Sequence, residues 1–252
     1  MRRIFGGFLI VFCVIAGSWV GLAGAEDRGN PLLKLPTPGA WAKYKSSVKP
    51  QDENETVATM VVKSLSATKV DGAPCRWLEY EYYTDENASH ERRKYLIPEV
   101  ALRMSERPSD RILRYLQRDG DRPVVQVPPE NQGWMPSDFL YFPGVLKSSE
   151  PVDDPRTVTH KTGSFEIPKA YVGTYRWWRK GGDPETGSVW ETEYRVWLHP
   201  DLPVGFAHAR AQLKLISNGA ERRSWQLDYA LQEFGDDPKS AIVEESAPPI
   251  ER

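Results

Sequence analysis

Two stretches near the C-terminus do most to fix what this chain can fold into. From residue 207 to 215, one set of alternate positions reads Ala207, Ala209, Ala211, Leu213 and Leu215, and the other reads His208, Arg210, Gln212 and Lys214. After a turn at Ser217-Asn218-Gly219, Trp225, Leu227, Tyr229 and Leu231 alternate with Ser224, Gln226, Asp228 and Ala230. Successive side chains of a strand point to opposite faces, so a period of two means a sheet with one buried and one wet face. Both apolar sets must share a face, because a one-residue slip would send them to opposite sides. That sets Leu213 opposite or diagonal to Leu227, and Lys214 beside Gln226 on the wet face. Three alanines in a row leave space above their strand. Either another element packs close there, or the space is a cavity.

The same alternation, more weakly, organises the rest. Nine Trp, eleven Tyr and eight Phe make up 11% of the chain, and aromatic residues favour pleated sheets. A first strand begins at Trp41 and ends at Pro50. Residues 57–70 form a second, Asp71-Gly72 turns it, and residues 75–84 form a third with Leu78, Tyr80 and Tyr82 on one face. Residues 93–97 follow, closed by Pro98. Such strands, punctuated by turn residues, read as an antiparallel meander. Further on, residues 171–178 and 189–198 flank a Gly-rich polar loop, and the pattern predicts a hairpin. In its register Tyr175 and Trp177 share a face with Trp190, Thr192 and Tyr194, and Arg176 lies near Glu191.

The middle differs. Ser109 can cap a short helix with Asp110 in its first turn, Ile112, Leu113 and Leu116 on one face, and Gly120 as the stop. Residues 123–155 hold many prolines and no sustained period. Yet Trp134, Phe139, Leu140 and Phe142 are strongly apolar for a loop. They read as a flap over the core or a lid over a ligand cavity.

The N-terminus says where the protein works. Met1-Arg2-Arg3 precedes a run that is nearly all apolar, Ala23-Gly24-Ala25 offers small residues, and Glu26-Asp27 turns polar. This is the pattern of a secretory signal peptide cleaved after Ala25. An uncleaved anchor is the rival reading, because the run could span a bilayer as a helix of about 20 residues. Cys13 sits inside the apolar run after Phe12, so a lipidated cysteine is not expected. The expected organisation is a signal peptide at 1–25, a proline-punctuated lead-in at 26–39, one β-rich domain at 40–235 and a flexible, charged tail at 236–252.

Composition excludes several classes. The formal net charge is −2, and Arg2 and Arg3 are the only charges in the leader. A slightly acidic mature chain without a dense Lys/Arg stripe does not point to nucleic acid. Cys75 alone survives cleavage, so no internal disulfide is available; a buried free thiol beside Trp77 and Leu78 is expected. There is no Gly-x-Ser-x-Gly elbow, no His-Glu-x-x-His and no phosphate-cradling glycine loop. His90, His160, His199 and His208 are scattered without ligand spacing and read as surface residues. Glu191 and Glu193 share a strand face, and cross-strand pairing with Arg176 and Arg195 accounts for them better than paired catalytic carboxylates. No enzyme, cofactor or metal site is expected.

One family resemblance emerges. Thr162-Gly-Ser-Phe165, an aromatic hairpin, Val196-Trp-Leu-His-Pro-Asp-Leu-Pro-Val-Gly205 and a strand ending near Phe234-Gly235 follow in order. This resembles the bacterial outer-membrane lipoprotein-sorting (LolA/LolB-like) superfamily and its exported relatives, and the meander at 41–97 fits the same plan. The resemblance implies a mainly β fold: a curved antiparallel sheet forming an incompletely closed barrel, with one or two short helices or a loop lid. It also implies an apolar cavity that in the family's carriers holds lipoprotein acyl chains. Here the region expected to supply the lid is proline-rich. The candidate lining is Ala207, Ala209, Ala211, Leu213, Trp225, Leu227, Tyr229 and Leu231, with Trp134, Phe139, Leu140 and Phe142 as the lid. The expected function is an exported, non-enzymatic lipid- or acyl-binding protein. The alternative is an envelope protein-interaction module with a solid core, no ligand and its exposed aromatics meeting a partner.

Overall fold

Two tight turns show how the chain builds a sheet. Asp71-Gly72 and Asn218-Gly219 each place two successive residues in the left-handed region, at φ 49° and 80° and at φ 53° and 71°. Such two-residue turns match the twist of the strands they join. The computed structural model describes residues 35–84, 90–102, 111–128, 145–178 and 187–242. Its strands are β1 (Ala40–Pro50), β2 (Thr56–Val70), β3 (Ala73–Thr84), β4 (His90–Pro98), β5 (Arg114–Asp119), β6 (Val125–Gln126), β7 (Val145–His160), β8 (Gly163–Trp178), β9 (Ser188–Trp197), β10 (His208–Ser217) and β11 (Ala220–Asp236). A single helical turn, α1 (Glu99–Leu102), is the helix among the described residues.

All eleven strands lie in one sheet, in the order β6-β5-β4-β3-β2-β1-β11-β10-β9-β8-β7. Two meanders, β1 to β6 and β7 to β11, are joined where β1 pairs antiparallel with β11, from Ala40 opposite Asp236 to Pro50 opposite Trp225. The outermost strands, β6 and β7, do not pair with each other, so the sheet is an unclosed barrel, as the sequence led us to expect. At the seam a Cβ on Gly235 would stand 3.0 Å from Trp41 Nε1. A larger residue at 235 would therefore require the Trp41 ring to shift where it crosses the β11 backbone.

Alternation gives the sheet an apolar face. Tyr44, Met60, Val62, Leu78, Tyr80, Tyr95 and Tyr115 on the N-terminal half belong to the same buried cluster as Ala209, Leu213, Leu227, Tyr229 and Tyr194 on the C-terminal half. The turn before β10 contributes Phe206, whose ring lies 4.7 Å from Tyr44 and 6.0 Å from Tyr229. The Phe206 N–H donates to the Tyr44 hydroxyl at 3.2 Å. Burial pushes that hydroxyl well above its ordinary pKa, and the Phe206 hydrogen bond only partly offsets this.

Three expectations change. The segment 109–116 does not supply a helix through Leu116, because Arg114–Asp119 is strand β5. There Tyr115 pairs with Tyr95 and stacks on it at 4.6 Å, while Leu116 is buried on the other face. Cross-strand packing on both faces outweighs the local capping signal. The stretch from 145, expected to be part of a proline-rich loop, is edge strand β7. Among the described residues its sheet neighbour is β8; Pro155 falls in the irregularity between Asp153 and Arg156, and Pro151 lies opposite Tyr171 on an edge strand, where proline is tolerated. The lid residues Trp134, Phe139, Leu140 and Phe142 lie outside the described residues.

The third change concerns the segment after β11, expected to be a flexible tail. Residues 239–242 lie over the far face of β2 to β4. Ile242 is 0% exposed, in a small cluster with Leu65, the free thiol Cys75, Trp77, Leu96, Leu116 and Val124. Glu79, also fully buried, accepts hydrogen bonds from Lys63 Nζ at 3.0 Å, Ser240 Oγ at 2.6 Å and the Ala241 N–H at 2.8 Å. Lys94 Nζ donates to the Ile242 carbonyl at 3.1 Å and sits 4.8 Å over the Trp77 ring. A buried carboxylate needs such partners, and the returning chain supplies two of them, Ser240 and Ala241. Ile242→Ala should therefore cost about 2–5 kcal/mol in urea denaturation. A loss within roughly 0.5 kcal/mol, as for an exposed tail residue, would show that the segment is not docked.

Candidate functional site

The residues expected to line a cavity come together on the apolar face of β10 and β11. Ala209 stands opposite Tyr229, Ala211 opposite Leu227 and Leu213 opposite Trp225. Leu213 is thus diagonal to Leu227, and Lys214, opposite Ser224, is diagonal to Gln226. Ala207 lies just before β10, where its N–H donates to the Trp197 carbonyl at 2.9 Å and its carbonyl accepts the Leu231 N–H at 3.0 Å. Ala207 and Ala209 are 0% exposed and Ala211 8%, all in the continuous core. Trp225 is half-buried and packs against Trp190 at 5.3 Å. The aromatic hairpin also has its expected register, with Tyr175 opposite Thr192, Trp177 opposite Trp190 and Arg176 opposite Glu191.

A cleft of about 840 Å³ opens on the opposite, polar face of the same strands. Its floor is two neighbouring cross-strand rows. One runs Ser47, Asp228, Arg210, Arg195, Val172, Glu150 from β1 to β7. The other runs Lys49, Gln226, Gln212, Glu193, Thr174. These are the wet positions between the apolar ones. The sequence displayed those of β10 and β11 plainly, but only the β1–β11 and β8–β9 registers align them into rows.

The charges there are mostly paired. Arg210 Nε donates to Asp228 Oδ2 at 3.0 Å, and His208 Nε2 lies 3.0 Å from Asp228 Oδ1. Burial alone would raise the Asp228 carboxyl. The His208 hydrogen bond and charge, together with Arg210, outweigh that and hold it below its ordinary range. Glu193 accepts from Lys214 Nζ at 2.8 Å, a bond that raises the lysine's pKa. Arg195 turns to Asp154 rather than to Glu193, contrary to the cross-strand pairing expected for those two.

Asp154 belongs to a second layer that β7 lays over this face. Its carbonyl accepts from Trp197 Nε1 at 2.9 Å, and the Arg156 guanidinium lies 4.6 Å over the Trp197 ring. Trp197 stacks on His208 at 5.1 Å. His208 is therefore only 3% exposed. It is not the surface residue its polar-face position suggested, because β7 folds back across it. Burial and the neighbouring charge of Arg210 push the Arg156 pKa down, with Asp228 and Asp154 opposing. Near the hairpin tip, Phe165 stacks on His199 at 4.0 Å and lies 5.7 Å from Phe234. Among the described residues no hydroxyl or thiol hydrogen-bonds His208, and no three His, Cys, Asp or Glu side chains converge as metal ligands would.

Comparison with known proteins adds distant likenesses to solved structures. The chain is similar to the crystal structure of a candidate lipoprotein from Parabacteroides distasonis, at 10% identity and a TM-score of 0.35, covering 81% of this chain and 98% of that one. It is similar to a candidate exported protein with YmcC-like fold from Bacteroides fragilis, at 10% identity and a TM-score of 0.32, covering 80% of this chain and 97% of that one. No family model and no curated protein matches. Likeness at this level transfers no residue role.

The His208–Asp228–Arg210 group makes one pH dependence testable. A carboxyl held below its ordinary value of 3.8 adds stability that is present above that pH and is lost as the pH falls through the folded-state value. Partial exposure of Asp228 screens the effect. Asp228→Asn should flatten the fall in melting temperature below about pH 4. Parallel acid limbs for the parent and the variant would contradict the assignment.

Proposed function

We propose that this chain is an exported, non-catalytic protein of the cell envelope that holds an acyl chain or similar apolar group against the apolar face of its half-barrel. Export rests on the leader at residues 1–25. The observation that carries the ligand class is the apolar face itself. It extends from Tyr115 in β5 to Tyr175 in β8 across the β1–β11 seam, in a sheet whose edges never meet. Its floor at Ala207, Ala209 and Ala211 projects only methyl groups. A face of this kind can take a lipoprotein acyl chain, as the lipoprotein-sorting resemblance implies. The non-catalytic reading is supported by His208, which is committed to Asp228 and Trp197. No cofactor or nucleic acid enters the proposal.

One observation favours a second reading, a solid-core interaction module. Ala207 and Ala209 are fully buried where Phe206 packs on Tyr44, and the cleft opens on the other face. Ala209→Leu separates the two. Over a space that admits a ligand, it costs little stability and weakens uptake of a fluorescent fatty acid by displacing bound apolar surface. In a filled core, overpacking costs about 1–3 kcal/mol. A melting curve and a probe titration on the mature chain read both. Strong destabilisation, together with no probe binding by the parent protein, would overturn the acyl-binding reading in favour of the solid core.

A further inference from the structure

The longer row of the polar cleft crosses six adjacent strands, β1, β11, β10, β9, β8 and β7, and the other crosses the first five of these. At the usual interstrand spacing that is a track of roughly 24 Å, with rows about 7 Å apart. Such a span suits a short linear chain better than a single compact molecule. We propose that this trough is a binding site for a neutral oligosaccharide lying across the strands.

Charge argues first. Lys49, Arg195 and Arg210 face Glu55, Glu150, Glu193 and Asp228, so the lining is nearly balanced. Arg210, Arg195 and Glu193 are moreover already paired, with Asp228, Asp154 and Lys214. A polyanion would find little net attraction there. The side chains left over are of another kind. Among the described residues, the side chains of Gln212, Gln226 and Ser47 make no hydrogen bond, and Lys49 makes no ion pair. The two glutamines stand directly opposite each other in the middle of the track. Each presents a carbonyl and an amino group, able to accept from and donate to neighbouring hydroxyls.

A peptide fits less well. Peptides commonly bind sheets by pairing with a free edge and dropping alternate side chains into pockets. The β11, β10, β9 and β8 backbones under the trough are paired on both sides, so the floor offers an edge only at its β7 end. Val172 is the one apolar side chain the two rows present. Polyhydroxyl chains need neither an edge nor an apolar pocket. No aromatic ring lies in either row, so affinity comes from several hydrogen bonds acting in parallel. This site lies on the face opposite the alanine floor and is independent of acyl binding.

The test is an amide-shift titration of the mature chain by NMR. The neutral probes are cellotetraose, maltotetraose and chitotetraose; a heparin-derived tetrasaccharide and a Gly-Ser repeat peptide are the controls. At least one neutral sugar should shift amides at 47–49, 193–195, 210–212 and 226–228. The Gln212→Ala/Gln226→Ala double variant, altered only at incompletely buried positions, should keep the parent melting temperature and bind about tenfold more weakly. A Gln212→Glu/Gln226→Glu variant repeats the test should the alanine pair prove unstable. Failure of all three neutral sugars, unchanged affinity in a folded variant, or stronger binding of the polyanion or the peptide would overturn the proposal.

Discussion

The pairing of β1 with β11 is the constraint on which the other features depend. Each half of the chain is a meander of neighbours in sequence, and such meanders need no long-range instruction. The seam does: it brings residues 40–50 against residues 225–236 and fixes which side of each half faces the core. Since strand side chains alternate, a slip of one residue at the seam would turn the apolar face of one half onto the polar face of the other. Tyr44, at the irregularity in this ladder, is fully buried and carries Phe206 on its ring and on its hydroxyl. Gly235 leaves room for Trp41, whose Nε1 donates to the Asp236 carbonyl at 3.3 Å.

The same pairing creates both candidate surfaces. On the apolar side it joins the tyrosine-rich half to the alanine floor. On the polar side it carries the cross-strand rows from β10 and β11 into Ser47 and Lys49 of β1, without which the trough would end at β11. The two surfaces impose opposite demands on alternate residues of the same strands. Ala209, Ala211 and Leu213 must be apolar, and Arg210 and Gln212 between them must not be. Neither face can be redesigned by shifting the register.

Much of this was legible in the sequence because alternation and turn chemistry are local. That the apolar sets of β10 and β11 share one face followed from alternation, but the pairs Ala209–Tyr229, Ala211–Leu227 and Leu213–Trp225 depend on an irregularity between Leu215 and Ile216, and counting outward from Asn218-Gly219 alone misses them by one residue. In the aromatic hairpin, alternation likewise put Tyr175 and Trp177 on one face with Trp190, Thr192 and Tyr194, and Arg176 near Glu191. What was not legible depends on distant partners. Leu116 looked helical until Tyr95 supplied a neighbour for Tyr115. Strand β7 was hidden by prolines that only an edge tolerates. The docking of Ile242 depends on Glu79, 163 residues away. His208 looked exposed because nothing local announces that β7 folds over it. The polar trough was invisible for the same reason: its rows are assembled from strands at both ends of the chain.

The account stands on the seam making one cooperative sheet, and native-state hydrogen exchange measures that directly. Paired amides in β1 and β11 should open only with global unfolding, at the same free energy as the central amides of β3 and β9, because no smaller unit contains their partners. If the β7–β10 amides exchange together at a distinctly lower free energy than those of β2–β4, with the amides bonded between β1 and β11 unprotected, the two halves are separate units and the continuous apolar face does not exist.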